Sequence, residues 1–264
     1  MSYWAKKVVV LTGGTSGLGQ YLLSELTKQH AKVLVIGKRS YDQIENREEL
    51  FEKSGNSYFS YDLQNIDQLS QLADSLKAVH GYVDVLINNA VHFDEIPFSE
   101  LTKDHLYSHF DVNALAPLFL TKHLLPAMHE RNYGRIVMIN TESALQVKPH
   151  LLSYSVSKAA LLTMTRALAQ DLRGTSITAN SLLLGPLLTP DNEEYLNEAA
   201  QKKNLNVENL VEEAMKRTYP YCTSTKYTPM EAVLSVLTTL CSDHTASING
   251  MAWRMDSGSL STIY

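Results

Sequence analysis

The sequence is poor in cysteine and has no long apolar run, and each shortage excludes a class of protein. Only Cys222 and Cys241 occur in the 264 residues, without a C-x-x-C pair, which excludes a disulfide framework and a cysteine-rich zinc site. The apolar run 8–11 near the N-terminus is too short for a signal peptide or a membrane helix. We therefore expect a protein of the reducing cytoplasm that does not use a membrane.

The charge balance gives no reason to expect a polyanionic partner. The chain has 23 Lys and Arg against 28 Asp and Glu, a formal net charge of −5, whereas nucleic-acid binding usually needs a basic surface. Apolar residues make up 44% of the chain, enough for the core of one large domain, and no linker rich in Pro, Gly or Ser divides it. We predict a single domain over residues 1–264 and no nucleic-acid partner.

Short apolar runs recur along the chain and alternate with stretches of helical spacing such as 17–28 and 153–173. This alternation is typical of parallel strands that are covered by helices on both faces of a sheet. The runs are Val8–Leu11, Val33–Ile36, Ser57–Tyr61, Val83–Ile87, Arg135–Asn140 and Ser176–Leu182. The pattern predicts an α/β fold, namely a Rossmann-type, doubly wound, mostly parallel sheet of six or seven strands.

A glycine-rich turn follows the first of these runs. Residues 12–19 read T-G-G-T-S-G-L-G, between a predicted strand and a predicted helix. Glycines allow a tight turn and the close approach of a ligand, and the helix N-terminus offers free N–H groups to a phosphate. The turn therefore predicts a binding site for a dinucleotide pyrophosphate.

Tyr154 and Lys158 stand four residues apart on a predicted helix, so their side chains lie on one face. The same spacing occurs at Tyr3 and Lys7, but only Tyr154 follows a predicted strand that ends at a hydroxyl, Thr141. A phenol has an ordinary pKa of about 10, and a neighbouring ammonium favours the phenolate and lowers that pKa. The group therefore predicts acid–base chemistry at Tyr154.

Further motifs follow in order along the chain, and together with the glycine-rich turn and the Tyr154 pair they resemble the short-chain dehydrogenase/reductase family over essentially its whole length. Asn88-Asn89-Ala90 is similar to the family's N-N-A-G, and Asn113 matches its helix asparagine. The other matching positions are Asp62-Leu63, the segment 180–189 with Gly185 and Thr189, and Gly250 with Met255-Asp256-Ser257-Gly258.

The resemblance implies a nicotinamide dinucleotide cofactor. Members that use NAD(H) place an acidic residue after the second strand to hold the ribose 2′-hydroxyl. Here Gly37 is followed by Lys38 and Arg39, so basic groups favour NADP(H) over NAD(H). The implied cofactor contacts are Gly13, Thr15, Ser16, Gly17, Leu18, Gly19, Lys38, Arg39, Asp62, Leu63, Asn89, Ala90, Tyr154, Lys158, Gly185, Leu187 and Thr189.

The resemblance also implies an oxidoreductase that interconverts a carbonyl and an alcohol. In that scheme Tyr154 exchanges a proton with the substrate oxygen, and Thr141 hydrogen-bonds the same oxygen. Lys158 would hold the nicotinamide ribose and lower the pKa of Tyr154, and Asn113 would keep a relay water in place. Reduction of a carbon–carbon or carbon–nitrogen double bond is an open alternative, because the same cofactor site serves those reactions.

Four positions depart from the family pattern. Thr141 stands where the family usually has Ser, Val91 ends its N-N-A-G, Leu184 replaces the Pro of Pro-Gly, and Ser257 interrupts the usual D-G-G. Threonine keeps the hydroxyl, but its branched Cβ restricts χ1, and Ser143 offers a second hydroxyl nearby. Thr141 and Val91 leave open a cofactor-binding regulator with little turnover.

The sequence defines the substrate side less well. The family arrangement would place around a substrate the side chains of His92, Phe93, Glu142, Ser143, Leu145 and His150. Glu142 would face either solvent or a cationic or hydroxyl-rich ligand. The polar stretch 190–228 suits a flap over the pocket or a solvated pair of surface helices. His105 and His109 share a helix face but lack the Glu and third ligand of a zinc protease, so no metal is expected.

The expected partners are a small carbonyl or alcohol substrate and further copies of the chain. Members of the family usually pair helices across two-fold axes, and the stretches 102–130 and 153–173 suit such contacts, so we expect a homodimer or homotetramer.

A Rossmann-like methyltransferase is a further alternative, because it also uses a glycine-rich turn, although it does not need Tyr154, Lys158 and Asn113.

Overall fold

A computed structural model describes residues 2–261, and within them seven strands form one parallel sheet. The strands are β1 (Val8–Thr12), β2 (Lys32–Gly37), β3 (Ser57–Ser60), β4 (Val85–Asn88), β5 (Gly134–Thr141), β6 (Ile177–Leu184) and β7 (Ala252–Met255). Their order across the sheet is β3-β2-β1-β4-β5-β6-β7, and every neighbouring pair is parallel. The predicted fold class is confirmed.

The central strands are apolar throughout because both faces of the sheet are covered. In β1, Val9 and Leu11 pack into one apolar cluster, while Val8 and Val10 pack into the cluster on the opposite face. All residues of β1 are buried, which explains why its sequence shows a continuous apolar run instead of alternating polar positions.

Eight helices flank this sheet within the described residues. They are α1 (Gly17–Lys28), α2 (Leu69–His80), α3 (Lys103–Phe110), α4 (Ala116–Glu130), α5 (Leu152–Asp171), α6 (Pro190–Lys203), α7 (Val207–Thr218) and α8 (Met230–Cys241). Helices α1 and α8 contribute Leu22 and Leu237 to one core cluster, and α2, α4 and α5 contribute Leu76, Leu120 and Leu161 to the other. No helix of residues 2–261 combines the length and apolar character that crossing a membrane requires.

The stretch 102–130 is helical but interrupted. Helices α3 and α4 are joined by a single π-helical turn, Asp111–Leu115. A π turn inserts an extra residue into the helical hydrogen-bond ladder, and such turns occur frequently at functional sites. Asn113 lies inside this turn and is fully buried.

The stretch 190–228 folds into α6, α7 and a following loop. The two helices pack on each other through Leu196, Ala200 and Leu210. The two ends of the segment meet shortly after β6, because the Leu188 N–H donates to the Thr228 carbonyl at 3.0 Å. The segment therefore forms a separate lobe beside the carboxyl ends of the strands, which is where open parallel sheets bind ligands.

Candidate active site

A cleft of about 530 Å³ opens at the carboxyl ends of the central strands, where β1 and β4 are neighbours. The chain leaves these strands toward opposite faces of the sheet, which creates a crevice between the two connections. The cleft is lined by almost all the residues that the family resemblance implies for the cofactor: Gly13, Thr15, Ser16, Gly17, Leu18, Gly19, Lys38, Arg39, Asp62, Leu63, Asn89, Ala90, Tyr154, Lys158, Gly185 and Thr189. Leu187 lines a neighbouring cavity instead.

The glycine-rich turn has the shape of a phosphate cradle. A Cβ atom on Gly19 would lie 1.9 Å from the Gly13 carbonyl oxygen, so the first turn of α1 packs against the loop without space for a side chain. Gly13 has φ of +67° and would bring a Cβ to 2.9 Å from Ala90. Ser16 precedes α1 without a side-chain cap, which leaves the N–H groups of the first helical turn for a bound anion.

The turns after β1 and β4 are bonded to each other. The Thr12 hydroxyl accepts hydrogen bonds from the N–H groups of Asn89 and Ala90, each at 2.9 Å. The Asn89 amide in turn donates to the carbonyl oxygens of Thr12 at 3.0 Å and Gly13 at 3.2 Å. Asn89 therefore holds the phosphate turn in place.

The loop after β2 is held by two hydroxyls of β3. Tyr58 and Ser60 both donate to the Arg39 carbonyl, at 2.7 Å and 3.0 Å. The Arg39 guanidinium donates to the Thr15 carbonyl at 3.2 Å, and Lys38 forms an ion pair with Asp62 at 3.1 Å. Two basic groups therefore stand at the end of the cleft where a ribose 2′-phosphate would lie.

Tyr154 and Lys158 lie on one face of α5, and both line the cleft. Lys158 is only 3% exposed, and its ammonium donates to the Ile139 carbonyl at 2.9 Å. Burial lowers the pKa of Lys158 to about 8. The Asn140 amide donates to the Lys158 carbonyl at 3.1 Å, so β5 holds this turn of α5 through two bonds.

The pKa of the Tyr154 phenol shifts in the opposite direction from the one that the sequence predicts. Its pKa is raised, first by burial and second by the charge of Glu142, whereas the hydrogen bond with the Thr141 hydroxyl lowers it. The expected lowering of this pKa by Lys158 is not found, since Lys158 is not among the groups that shift it, and desolvation disfavours the phenolate. A phenol in this state keeps its proton at neutral pH.

The Thr141 hydroxyl donates its one proton in a hydrogen bond to the neighbouring Glu142 side chain. Its Oγ1 donates to a Glu142 carboxylate oxygen at 2.9 Å and accepts the Ser143 N–H at 3.2 Å. Glu142 does not face solvent, since it is only 8% exposed. Because a hydroxyl has one proton, Thr141 donates either to Glu142, as it does here, or toward Tyr154, where donation to the phenolate lowers the Tyr154 pKa.

Asn113 does not line the cleft but supports its wall. Its amide oxygen accepts the His92 N–H at 2.8 Å, and its amide nitrogen donates to the His92 carbonyl at 2.9 Å and to the Ser157 hydroxyl at 3.0 Å. The π turn thus connects the loop after β4 to α5. Both polar atoms of the Asn113 side chain already form hydrogen bonds, so a relay water would contact the Asn113 backbone.

A profile of the family described as short chain dehydrogenase matches residues 7–200. The chain belongs to the short-chain dehydrogenase family. The oxidoreductase YvrD of Bacillus subtilis is 29% identical over 253 residues, which are 96% of each chain. The family excludes the methyltransferase alternative.

Two solved structures share the fold of this short-chain dehydrogenase. L-sorbose reductase of Gluconobacter frateurii, solved with NADPH and L-sorbose, has a TM-score of 0.86 at 23% identity and 98% coverage of both chains. A 4-hydroxyisoleucine dehydrogenase solved with NADH has a TM-score of 0.83 at 22% identity, covering 97% of this chain and 100% of its own.

A second cavity of about 780 Å³ adjoins the cleft of this short-chain dehydrogenase at Tyr154 and Thr141. Of the expected substrate residues, Phe93, Glu142, Ser143 and His150 line this cavity, His92 lines the cofactor cleft, and Leu145 lies on neither and is exposed. The lobe 190–228 supplies one wall through Asn192, Tyr195, Leu196, Thr218, Tyr219 and Tyr227.

Aromatic and imidazole rings pack around Tyr154. Phe93 meets the Tyr154 ring edge to face with centroids 5.0 Å apart, and His109 approaches it at 6.3 Å. His109 donates from Nδ1 to the His105 carbonyl at 2.8 Å, since a carbonyl can only accept. Ligand atoms of His92, Asp94 and His109 lie within 4.8 Å of one another, a grouping that the spacing of His105 and His109 did not indicate.

Sequence reasoning missed several residues of the site. Tyr58 and Ser60 hold Arg39, Asn140 holds Lys158, and Tyr219 and Tyr227 line the second cavity. Asn140 gave a usable signal, because a polar residue at the end of a buried strand often has a site role. The others gave none, since only tertiary contacts bring them to the site.

Proposed function

We propose that this chain is an NADP(H)-dependent oxidoreductase that interconverts a carbonyl and an alcohol, with Tyr154 as the proton-transferring residue. One observation carries the proposal. Tyr154 lines both the dinucleotide-shaped cleft and the second cavity, so its hydroxyl stands at the boundary between a cofactor and a substrate. Family membership supports the oxidoreductase class.

The cleft fits a dinucleotide. The Gly13 and Gly19 contacts leave a cradle without side chains beside the N-terminus of α1, and Lys158 offers an ammonium to the ribose hydroxyls at the other end of the cleft. A bound, reduced nicotinamide supplies a hydride to the carbonyl carbon. Gly185 and Thr189 lie where they would meet its carboxamide.

Tyr154 delivers the proton that the carbonyl oxygen needs as the carbon is reduced. Burial keeps the phenol protonated before reduction, which suits a general acid. The positive charge of Lys158 on the next turn of α5 then stabilises the phenolate that the transfer leaves behind. Proton return runs from solvent past the Asn113 turn, in keeping with the role that the family resemblance implies.

Thr141 and Ser143 supply the hydroxyls that face the substrate oxygen. Thr141 is hydrogen-bonded to Tyr154 and so orients the phenol, while its own proton is held by Glu142. Ser143 lines the cavity and offers the alternative hydroxyl that its position in the sequence indicates. Ser143 is proposed to stabilise the oxygen as negative charge develops on it, and Thr141 to do so when its proton turns from Glu142 toward the substrate.

A preference for NADP(H) rests on Lys38 and Arg39. A Cβ on Gly37 would lie 2.7 Å from the Tyr58 hydroxyl, so the position where an acidic residue would select NAD(H) has no room for a side chain. Arg39 is held toward Thr15, close to the phosphate turn. The related folds were solved with NADPH in one case and NADH in the other, so the preference stands on the basic pair.

The first experiment follows NADPH consumption spectroscopically against a panel of ketones, aldehydes, quinones and imines, beside NADH and with Tyr154→Phe as the control. We expect turnover that prefers NADPH and falls by at least about 100-fold in the variant, because a positioned acid typically contributes that much. Tight NADPH binding without turnover on any compound would favour a regulator, and equal efficiency with NADH would contradict the cofactor preference.

The remaining proposals concern the rest of the molecule. The lobe 190–228 is proposed to cover the substrate, since it forms a wall of the second cavity.

Cys222 and Cys241 are unpaired thiols, which suits the reducing cytoplasm. A homodimer or homotetramer is proposed from the helices α3, α4 and α5.

A further inference from the structure

Glu142 is a buried carboxylate at the end of β5 whose charge has no cationic partner among residues 2–261. It is 8% exposed, and its side chain is bonded to the Thr141 hydroxyl and to its own backbone N–H. Burial raises the pKa of Glu142, and the nearby charge of Lys148 offsets only part of that rise, because Lys148 forms no ion pair with Glu142 in the described chain. Carboxylates are seldom buried in this way unless they are paired, so the site calls for a hydrogen-bond donor from outside.

The carboxylate lies close to the reacting atoms. Its Oε2 is 2.9 Å from Thr141 Oγ1, and Thr141 and Tyr154 both line the cleft and the second cavity. A carbonyl oxygen that accepts the Tyr154 proton at the usual distance of about 2.8 Å would therefore lie near Thr141, with the Glu142 carboxylate on its far side. A donor on the carbon next to the carbonyl spans that gap, whereas a donor far along the substrate does not.

The rest of the cavity also favours a polar substrate without net charge. Tyr219, Tyr227 and Ser143 line the cavity, and their hydroxyls take part in no hydrogen bond within the described residues. An aliphatic ketone would leave these groups desolvated and unpaired. Lys148, whose ammonium lies 4.3 Å from the centre of the Tyr219 ring, disfavours a cationic ligand, and Glu142 disfavours an anionic one.

We propose that Glu142 determines specificity by accepting a hydrogen bond from a hydroxyl on the carbon adjacent to the reacting carbonyl. The substrate class is then a neutral α-hydroxy ketone or α-hydroxy aldehyde, such as a sugar, and in the reverse direction the corresponding vicinal diol. This inference rests on the proposed carbonyl reduction at Tyr154 and gives that reaction a substrate class.

The chemistry excludes one common class of carbonyl compound. In a 2-oxo acid the carbon on which the proposal places a hydroxyl is itself the carboxylate carbon. That carboxylate would meet the buried Glu142 carboxylate across a short distance, where the repulsion between like charges is strong. We therefore expect 2-oxo acids to be rejected.

The test uses compounds matched at four carbons: 2-butanone, 1-hydroxy-2-butanone, erythrulose, 1-amino-2-butanone and 2-oxobutanoate. For the wild-type enzyme with NADPH we expect kcat/KM to rise at least tenfold from 2-butanone to 1-hydroxy-2-butanone, to be highest for erythrulose, and to be lowest for 2-oxobutanoate. Equal values for 2-butanone and the hydroxylated compounds would overturn the proposal, and a clear preference for 1-amino-2-butanone would replace the hydroxyl with an ammonium.

Glu142→Gln keeps the size of the side chain and removes its charge. We expect the ratio of kcat/KM for 1-hydroxy-2-butanone to that for 2-butanone to fall at least tenfold, and the rejection of 2-oxobutanoate to weaken. Glu49→Gln, a change of the same kind at an exposed position outside both cavities, should leave the ratio unaltered. An unchanged ratio in Glu142→Gln would overturn the proposal.

Failure of this inference and failure of the proposed function give different results. If the wild-type enzyme reduces no carbonyl compound, the proposed function fails and the inference falls with it. If the enzyme reduces ketones through Tyr154 without regard to an adjacent hydroxyl, the function stands and the role of Glu142 is refuted. Should Glu142→Gln fail to fold or to bind NADPH, the wild-type preference across the matched compounds decides the question by itself.

Discussion

At the scale of single residues, the site depends on polar groups that are held without water. Lys158, Glu142 and Asn113 are all buried, and each is held by at least one hydrogen bond to a neighbour. Buried ionisable groups cost stability, so their concentration around Tyr154 is a physical sign that the site serves a reaction more than the fold.

Lys158→Met tests whether the buried charge of Lys158 lowers stability while it supports turnover. Burial lowers the Lys158 pKa from 10.5 to about 8, which corresponds to a cost of roughly 3 kcal/mol for carrying the charge at neutral pH. We expect the variant without cofactor to be more stable by about 1–3 kcal/mol in urea unfolding at pH 7, while turnover falls at least about 100-fold. A loss of stability would show that the bond to the Ile139 carbonyl outweighs the burial of the charge.

The pH dependence of this difference has a definite sign. Above pH 8 the folded protein has released the Lys158 proton, whereas the unfolded chain keeps it up to about 10.5. The penalty in the wild-type protein is therefore complete below pH 8 and declines as the pH rises from 8 toward 10.5. The stability gap between Lys158→Met and wild type should close over that window.

At the scale of elements, the site is built where strands end and helices begin. The turn from β1 to α1 has the shape of a phosphate cradle, the end of β5 carries Thr141 and Glu142, and the π turn between α3 and α4 connects the loop after β4 to α5. These junctions are short and bonded to one another, which gives rigid positions to groups that come from separate parts of the chain.

Gly19→Ala tests the junction of β1 and α1. The new Cβ would lie 1.9 Å from the Gly13 carbonyl oxygen, so the phosphate turn must move. We expect the Kd for NADPH to rise at least tenfold in calorimetric titration, with a loss of stability of about 1–3 kcal/mol from overpacking.

Gly174→Ala is the matched control for this substitution. Gly174 has φ of +83° and nothing within 4 Å of the added Cβ, so the variant should lose about 1 kcal/mol through backbone strain while its Kd for NADPH stays as in wild type. Wild-type affinity in Gly19→Ala would show that the turn can adjust without losing its shape for phosphate.

At the scale of the whole molecule, the expected homo-oligomer is a prediction about the surface. Tyr107 on α3 and Val156 on α5 are exposed, and β7 is the outermost strand of the sheet on its side. Apolar side chains and an open strand edge are both features that a second copy of the chain could cover.

Light scattering at micromolar concentration tests the expected homo-oligomer. A chain of 29.5 kDa should appear with two or four times that mass, and the mass should stay constant over a tenfold dilution. The mass of a single chain at every concentration would contradict the expectation.

The sequence by itself determined the parts of this protein that depend on near neighbours along the chain. Apolar runs separated by helical spacing predicted a parallel, doubly wound sheet, because strand and helix periods are local. The T-G-G-T-S-G-L-G turn and the Tyr154 and Lys158 pair were equally readable, since a tight turn and one face of a helix each depend on a few consecutive residues.

Only the tertiary structure decided what depends on residues far apart in the chain. Glu142 is buried and shares the second cavity with the lobe 190–228, and its carboxylate accepts the Thr141 hydroxyl proton. The same holds for Tyr219 in that cavity and for Tyr58, which fixes Arg39. Burial and electrostatics are set by surroundings that folding assembles from remote segments, so the pattern of neighbours in the sequence does not contain them.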